Sequence, residues 1–482
     1  MAGLTALAGW GAHHVGIAVK PLQVVAVCTF TSVIFTTLFF PAHRIAVAFL
    51  GVAVLVGTRG MTLQGMLHTA ELDIILFLVG MMIIVGALKD LGFLTWIIQT
   101  IINTKKMTGT TFTVILCVLS ALLSSLIGEI SSIVVVLALV FQVCDTLKIR
   151  ATPFVLIAVL CTNIGSAATM LGNPVGIFIG NKAGLTFSQF VFGAVPIALV
   201  ALVSTMIVVL LWYRKSIAGM SLKMEEHRKV HQGLGPLVRI PHRRGFFVLT
   251  ATILIIAFHH QIENILGLTG ADNTNAFLII TPLIIAGLLM VYRPRRARHY
   301  VENEIEWWTL LFFMLLFAIA GGLQEQEVTG KLADKLAEIT TGGPKALIPF
   351  VLGITSIGSA FVDNIVFVAA FNPVIQSLLE HSSGYSILWW ALLFGACFGG
   401  NITVVGSTAN IVALGLLEKR GHDHISFFEW IKVGLAIGVL TGAIAWGMLN
   451  VMEMPKPLGH RPEAKAAALP AAATGFSPKT AQ

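Results

Sequence analysis

Long apolar tracts separated by short polar loops run the length of the chain. Uncharged stretches from Leu22 to Phe40, Ile74 to Leu88, Phe190 to Tyr213, Trp307 to Leu323 and Val433 to Val451 approach the roughly 20 residues that a spanning helix needs. They are apolar on every face, whereas a membrane barrel would alternate over segments of roughly 10 residues. The pattern therefore predicts helices. Two tracts are too long for one span each. From Met107 to Cys144 the only charged residue is Glu129, and from Ala346 to Leu379 it is Asp363. At about 1.5 Å per residue a continuous helix of either length would overrun a hydrocarbon core of roughly 30 Å, so each tract must fold back.

Two full spans or a re-entrant hairpin would both satisfy the fold-back, and hydropathy does not separate them. Turn chemistry favours hairpins. Ser124, Ser125, Gly128, Ser131 and Ser132 surround Glu129, and Ser356, Gly358, Ser359 and Asn364 surround Asp363. Irregular backbone at membrane depth survives only where protein or a wet cavity satisfies it, which such residues help to do.

Composition agrees with a lipid solvent, since 56% hydrophobic and 11% charged residues over 482 positions leave too little polar surface to coat a soluble globule. The net charge of +8 is read as a topology signal rather than as a nucleic-acid footprint. Arg214, Lys215, Lys223, Arg228, Lys229, Arg239, Arg243 and Arg244 crowd the longest polar stretch, and Arg293, Arg295, Arg296 and Arg298 a second loop. The positive-inside rule places both in the cytoplasm. The loop Gln261 to Asn275 between them has no Lys or Arg and fits the outer face. Continued alternation puts Arg44, Lys89, Lys105, Lys106, Lys148, Arg150, Lys419, Arg420 and Lys432 inside, 21 of the 31 basic residues in all, and leaves both termini outside. Lys105, Lys106, Lys148 and Arg150 then make the Glu129 fold-back enter from the cytoplasm, and Lys345 and Glu380 make the Asp363 fold-back enter from outside.

Five cysteines in or beside apolar tracts, without zinc-site spacing, read as packing residues. His259 and His260 read as interfacial. No signal peptide is expected, because the first twenty residues lack a basic start and a cleavage site. The tail from Pro455 onward, rich in Ala and Pro, reads as disordered.

The two carboxylates lie 234 positions apart, and that offset also pairs Ser125 with Ser359, Gly165 with Gly399, Thr169 with Thr403 and Gly172 with Gly406. An offset of 235 pairs Phe77 with Phe312, Gly86 with Gly321 and Leu88 with Leu323. After each fold-back comes an apolar tract broken by Gly, Thr and Asn, from Thr162 to Asn181 and from Phe398 to Gly415. Broken helices expose amide donors on one half-helix and carbonyl acceptors on the other, and inverted repeats built this way are a transporter architecture. The expectation is an all-α polytopic membrane protein with two inverted repeats, about ten transmembrane helices, two opposed re-entrant hairpins and two broken helices. Its segments are an N-terminal stretch 1–21, a first repeat 22–213, a basic cytoplasmic linker 214–245, a second repeat 246–451 and a tail 452–482.

The stretches beginning at Glu71, Phe361 and Gly395 resemble the ion transporter superfamily of arsenite pumps, citrate and dicarboxylate carriers and D-type sodium/proton antiporters, above all its pink-eyed-dilution branch. The resemblance spans roughly Val24 to Val451. It implies two repeats with opposed hairpins, and a substrate held with a coupling cation between hairpin tips and helix breaks. Asp363, Asn364, Asn401, Thr403, Gly406, Ser407 and Asn410 match the branch in the second half, and Thr162, Asn163, Gly165, Ala168 and Thr169 in the first. Gly128 and Glu129 stand where the branch usually has Asp-Asn, and Asn173, Pro174, Val175 and Gly176 where it usually has Asp-Pro-Pro-Asn.

Candidate ion- and substrate-binding residues are therefore Ser125, Glu129, Ser131, Asn163, Thr169, Asn173, Ser359, Asp363, Asn364, Asn401, Thr403, Ser407 and Asn410. A lone membrane carboxylate such as Glu129 is costly to keep charged, which suits a proton carrier. Asp363, Asn364, Ser407 and Asn410 offer hard oxygen ligands for Na+, although Asp363 could equally cap a helix. The expected activity is secondary transport of a small ion or oxyanion of arsenite, carboxylate or chloride type, coupled to H+ or Na+. Sodium/proton exchange is the alternative, and a passive channel would share the fold. No H-E-x-x-H pair, G-x-S-x-G elbow or P-loop occurs, so no enzyme is expected. No cofactor beyond the coupling ion and no nucleic-acid partner is expected either. The partners are a small inorganic or organic ion and the lipid of the cell inner membrane, and assembly as a homodimer fits this reading.

Overall fold

The computed structural model describes residues 20–102, 104, 107–230, 241–267, 276–339, 343–420 and 424–455. The expectations for the signal peptide, the exterior termini, the disordered tail, Lys105, Lys106 and Arg239 fall on residues outside these, in the tail's case all but Pro455. The first half comprises α1 (Pro21–Phe39), α2 (Arg44–Gly57), α3 (Leu72–Asp90), α4 (Gly109–Ile127), α5 (Glu129–Leu147), α6 (Thr152–Ser166), α7 (Pro174–Lys182), α8 (Phe187–Trp212) and α9 (Arg214–Val230). Then follow α10 (Arg243–Ala257), α11 (Ala276–Tyr292), α12 (Trp307–Glu325), α13 (Val328–Ile339), α14 (Ile348–Ser359), α15 (Asn364–His381), α16 (Ile387–Gly399), α17 (Thr408–Glu418) and α18 (Phe427–Val451). Shorter helices are named by their residues. Among the described residues no strand occurs.

Among the described residues seven helices, α1, α3, α4, α5, α8, α12 and α18, are long and apolar enough to cross a membrane, and the pair Arg243–Ala257 and His259–Ile265, bent by 63°, makes an eighth if it counts as one span. Other apolar helices are shorter because the chain interrupts them, as it does between α6 and α7 and between α16 and α17. Phe192 is 75% exposed and Leu211 67%, outward apolar side chains that a water-soluble surface would not collect on one helix and that lipid accepts.

Two helix pairs, α4 with α6 and α14 with α16, are the most extensively packed in the molecule. Small residues allow it. A Cβ added to Gly165 would lie 2.2 Å from the Ala121 carbonyl oxygen, and one added to Gly399 would lie 2.5 Å from the Ser356 Cα. These contacts are counterparts in the two halves.

Charged residues pair near the helix ends. Lys89 pairs with Glu304 at 2.6 Å, Asp90 lies 3.5 Å from Arg296, and Arg420 pairs with Asp145. Lys182 pairs with Glu71 at 2.5 Å, and Glu325 accepts from the Thr62 amide at 3.2 Å. The basic stretch after α8 is itself helical over α9. Its Ile217, Met220 and Met224 are buried, and Ser221 Oγ accepts from the Gly109 amide at 2.9 Å at the start of α4. His259, expected at the membrane interface, packs against protein. It is fully buried at the 63° bend, where its Nδ1 meets the Ile256 carbonyl at 2.8 Å.

Candidate functional site

Gly128 makes the turn from α4 to α5. Its φ of 87° and ψ of 152° fall in a region that only glycine occupies without strain, so Glu129 opens α5 with its amide donating to the Gly172 carbonyl at 2.9 Å. That bond fixes the α4–α5 turn against the interruption between α6 and α7. Thr169, within the interruption, returns the contact, its hydroxyl donating to the Ser125 carbonyl and accepting from the Leu171 amide at 3.1 Å. Ser125 Oγ bonds within its own helix, to Leu122 O at 2.8 Å.

The second half repeats this arrangement. Thr403 donates to the Ala360 carbonyl and accepts from the Val405 amide at 3.2 Å. Gly172 is packed so tightly that an added Cβ would lie 2.2 Å from the Ser166 carbonyl oxygen, and at Gly406 it would lie 2.8 Å from that of Gly400. The offset of 234 visible in the sequence thus joins Thr169 with Thr403 and Gly172 with Gly406 in matching contacts, while the carbonyls that the two threonines reach, Ser125 and Ala360, are 235 apart.

Asp363 caps α15, its Oδ1 accepting from the Ile365 amide at 3.3 Å, while Oδ2 accepts from Thr408 Oγ1 at 2.7 Å at the start of α17. With its amide turned so that the nitrogen faces these acceptors, Asn364 Nδ2 donates to Gly406 O at 2.6 Å and to Ser359 Oγ at 2.7 Å. Ser359 Oγ donates to Ala396 O at 2.7 Å. Ser407 caps α17, accepting from the Ala409 amide at 3.2 Å.

Asparagines join the two halves. Asn163 Nδ2 donates to Asn401 Oδ1 and to Asn410 Oδ1, both at 2.9 Å. Asn410 Nδ2 in turn donates to Gly400 O at 2.7 Å and Thr403 O at 2.9 Å. Asn173 caps α7, accepting from the Gly176 amide at 2.8 Å, and its Nδ2 donates to Ser166 Oγ at 3.0 Å and Cys397 Sγ at 3.1 Å. All four asparagines are buried.

Glu129 is 6% exposed and its Oε2 is buried without a hydrogen-bond partner. The Ser166 hydroxyl and the Asn173 amide face its carboxyl, and the Asp363 carboxylate lies close enough for their charges to interact. Asn163 Oδ1 and Asn401 Nδ2 are likewise buried and unpartnered. A buried unpaired polar group costs about 1–3 kcal/mol, so three at one place mark a site that gains from a polar ligand. Apart from the two carboxyls every side chain in the cluster is neutral.

Twelve of the thirteen expected residues belong to this network. Ser131 does not join it. It lies half-buried in the first turn of α5 and makes no side-chain hydrogen bond among the described residues. Ser166, Cys397, Thr408 and Trp430, whose Nε1 donates to Asn401 O at 3.1 Å, belong to the cluster without having been singled out. One signal was available, because the offset of 234 pairs Cys397 with Asn163.

Residues 30–395 match the family described as citrate transporter. The chain is 30% identical over 437 residues to an uncharacterized transporter of Mycobacterium tuberculosis, covering 88% of this chain and 97% of that protein. It is 29% identical over 378 residues to a 46 kDa membrane protein of Mycobacterium leprae, covering 77% and 84%. Similarity to the human P protein is 25% over 491 residues, 86% of this chain and 58% of the longer relative.

Proposed function

Because the chain belongs to the citrate transporter family of the ion transporter superfamily, we propose that it is a secondary active transporter moving a small ion or oxyanion, coupled to H+ or Na+ by alternating access. In this reading the α4–α5 and α14–α15 turns are tips of opposed re-entrant hairpins, and α6–α7 and α16–α17 are broken helices of two inverted repeats. What supports it most is the meeting of the Glu129 and Asp363 turns with both interruptions, closed by Asn163 reaching Asn401 and Asn410 across the halves. Equivalent halves that touch through polar side chains can rock about a fixed centre while each keeps its own internal bonds.

Roles follow from position. Glu129, with an unpartnered oxygen, carries the proton. Asp363, with Asn364, Ser407, Asn410 and nearby carbonyls, holds Na+ by oxygen ligands. The buried unpartnered Nδ2 of Asn401 donates to the cargo, for which the family description suggests a carboxylate such as citrate, while the unpartnered Asn163 Oδ1 accepts from a donor such as a cargo hydroxyl. Sodium/proton exchange remains the second reading, favoured by one observation. No cationic side chain stands among the named residues to hold a multiply charged anion. The membrane is taken to be the cell inner membrane, with the Lys89 and Arg420 groups cytoplasmic.

The test is current recorded from the reconstituted protein on a solid-supported membrane during jumps of Na+ or pH, with citrate, arsenite or chloride present or absent. Currents that need both a cation jump and one cargo support the carrier. Cation-only currents support exchange, and uptake following the cargo's own gradient alone would indicate a channel.

A further inference from the structure

Glu306 precedes α12 and is half-buried, its Oε2 accepting from Thr309 Oγ1 at 3.4 Å. α12 packs against α15, which Asp363 caps. The charged groups whose fields meet at Glu306 are Lys89, Arg44, Asp363 and Glu129. Neither cation is committed to it. Lys89 pairs with Glu304 at 2.6 Å, and the Arg44 guanidinium sits 4.9 Å from the Phe312 ring centre. Among the described residues no Lys or Arg nitrogen comes within 4.0 Å of the Glu306 carboxylate.

The other half explains why this is informative. The offset of 235 pairs Glu306 with Glu71, and Glu71 is neutralised by Lys182 at 2.5 Å, its side chain only 11% exposed. The residue 234 positions after Lys182 is Leu416. Of the two acids that the offset pairs, one has a built-in cation and the other has none within 4.0 Å among the described residues, and the sequence position matching Lys182 holds an apolar residue. A half-buried carboxylate without a fixed partner favours a proton or a mobile cation. The charge of Glu306 also reaches Glu129, a residue only 6% exposed whose Oε2 lacks a donor.

We propose that Glu306 is a third station for the coupling cation, passing H+ or Na+ between the mouth on the Lys89 side and the carboxylates of Asp363 and Glu129. This rests on the carrier reading above. For H+, the proton that Glu306 releases is the one that Glu129 or Asp363 takes up. For Na+, no covalent bond changes.

The experiment uses the full chain in inside-out and right-side-out vesicles, with Na+ or pH jumps and citrate, arsenite or chloride as cargo. For jumps applied on the cytoplasmic side, Glu306→Gln should lower the current about tenfold, and Glu306→Asp should restore most of it. Jumps from the other side should be much less affected, and Glu302→Gln on the exposed rim should match wild type throughout. Glu306→Ala, read in the same way, should give the same one-sided loss if Glu306→Gln fails to insert. Wild-type cytoplasmic currents in Glu306→Gln or in Glu306→Ala overturn the proposal, as does an equal loss from both sides that Asp does not restore. Asp363→Asn separates the two levels. If it too behaves as wild type the carrier site itself is wrong, whereas if it is inactive while Glu306→Gln is normal only the third station falls. The response to Na+ against that to pH identifies the ion.

Discussion

Gly128 sets the geometry of the first turn, because its φ of 87° lets the chain reverse and still present Glu129 as the first residue of α5. Gly128→Ala should cost about 1–3 kcal/mol through backbone strain and displace Glu129 from Gly172. The five free cysteines are all buried, so a thiol-reactive dye can report the lower unfolding temperature. At Glu129 itself the prediction is functional. Glu129→Gln keeps shape and hydrogen bonding but cannot exchange a proton, so transport should lose its pH dependence while the protein stays folded. Asp363→Asn should abolish transport or change its cation dependence, since the variant still caps α15 but carries no charge. Unchanged pH and cation profiles in both variants would remove these residues from the mechanism. The two carboxylates were legible in the sequence because charge in an apolar tract is conspicuous. Cys397 and Ser166 were not, because a thiol or a hydroxyl among Ala, Gly and Leu looks like packing until Asn173 is found donating to both.

At the scale of elements, the pairing of α4 with α6 and of α14 with α16 depends on glycine. An added methyl at Gly165 would meet Ala121 backbone atoms at 2.2 to 2.6 Å, and at Gly399 it would meet Ser356 at 2.5 to 2.9 Å. Gly165→Ala and Gly399→Ala should therefore each destabilise by about 1–3 kcal/mol, and the losses should be similar because the contacts are counterparts. Thermal unfolding of the two variants checks this, and a tolerated alanine at either position would show that the helices can separate freely. The common offset announced this symmetry. Glycines, threonines and serines recur where backbones approach in both halves. What the pattern could not supply was helix length. The expectation is of about ten spans, while seven or eight helices are long and apolar enough among the described residues, and the tracts expected to break do so as pairs of shorter helices around Gly172, Pro174 and Gly406. α9 was legible only as a basic linker, since a single apolar face formed by Ile217, Met220 and Met224 is faint among its charges.

For the whole molecule, the halves are held together at their centre by asparagine amides rather than by apolar packing alone. Asn163→Ala removes two bonds of 2.9 Å between halves. At about 0.5–2 kcal/mol for a bond inside a membrane protein, stability should fall modestly, while transport should fall much further because the halves lose their shared register. The account stands on both acidic turns opening into one compartment. Cysteines placed singly at positions 129 and 363 in a cysteine-free background, and probed with a small impermeant thiol reagent from each side of sealed vesicles, test this most directly. The account predicts that in any one preparation both positions react from the same side. Labelling of position 129 only from outside and of position 363 only from the cytoplasm would contradict it.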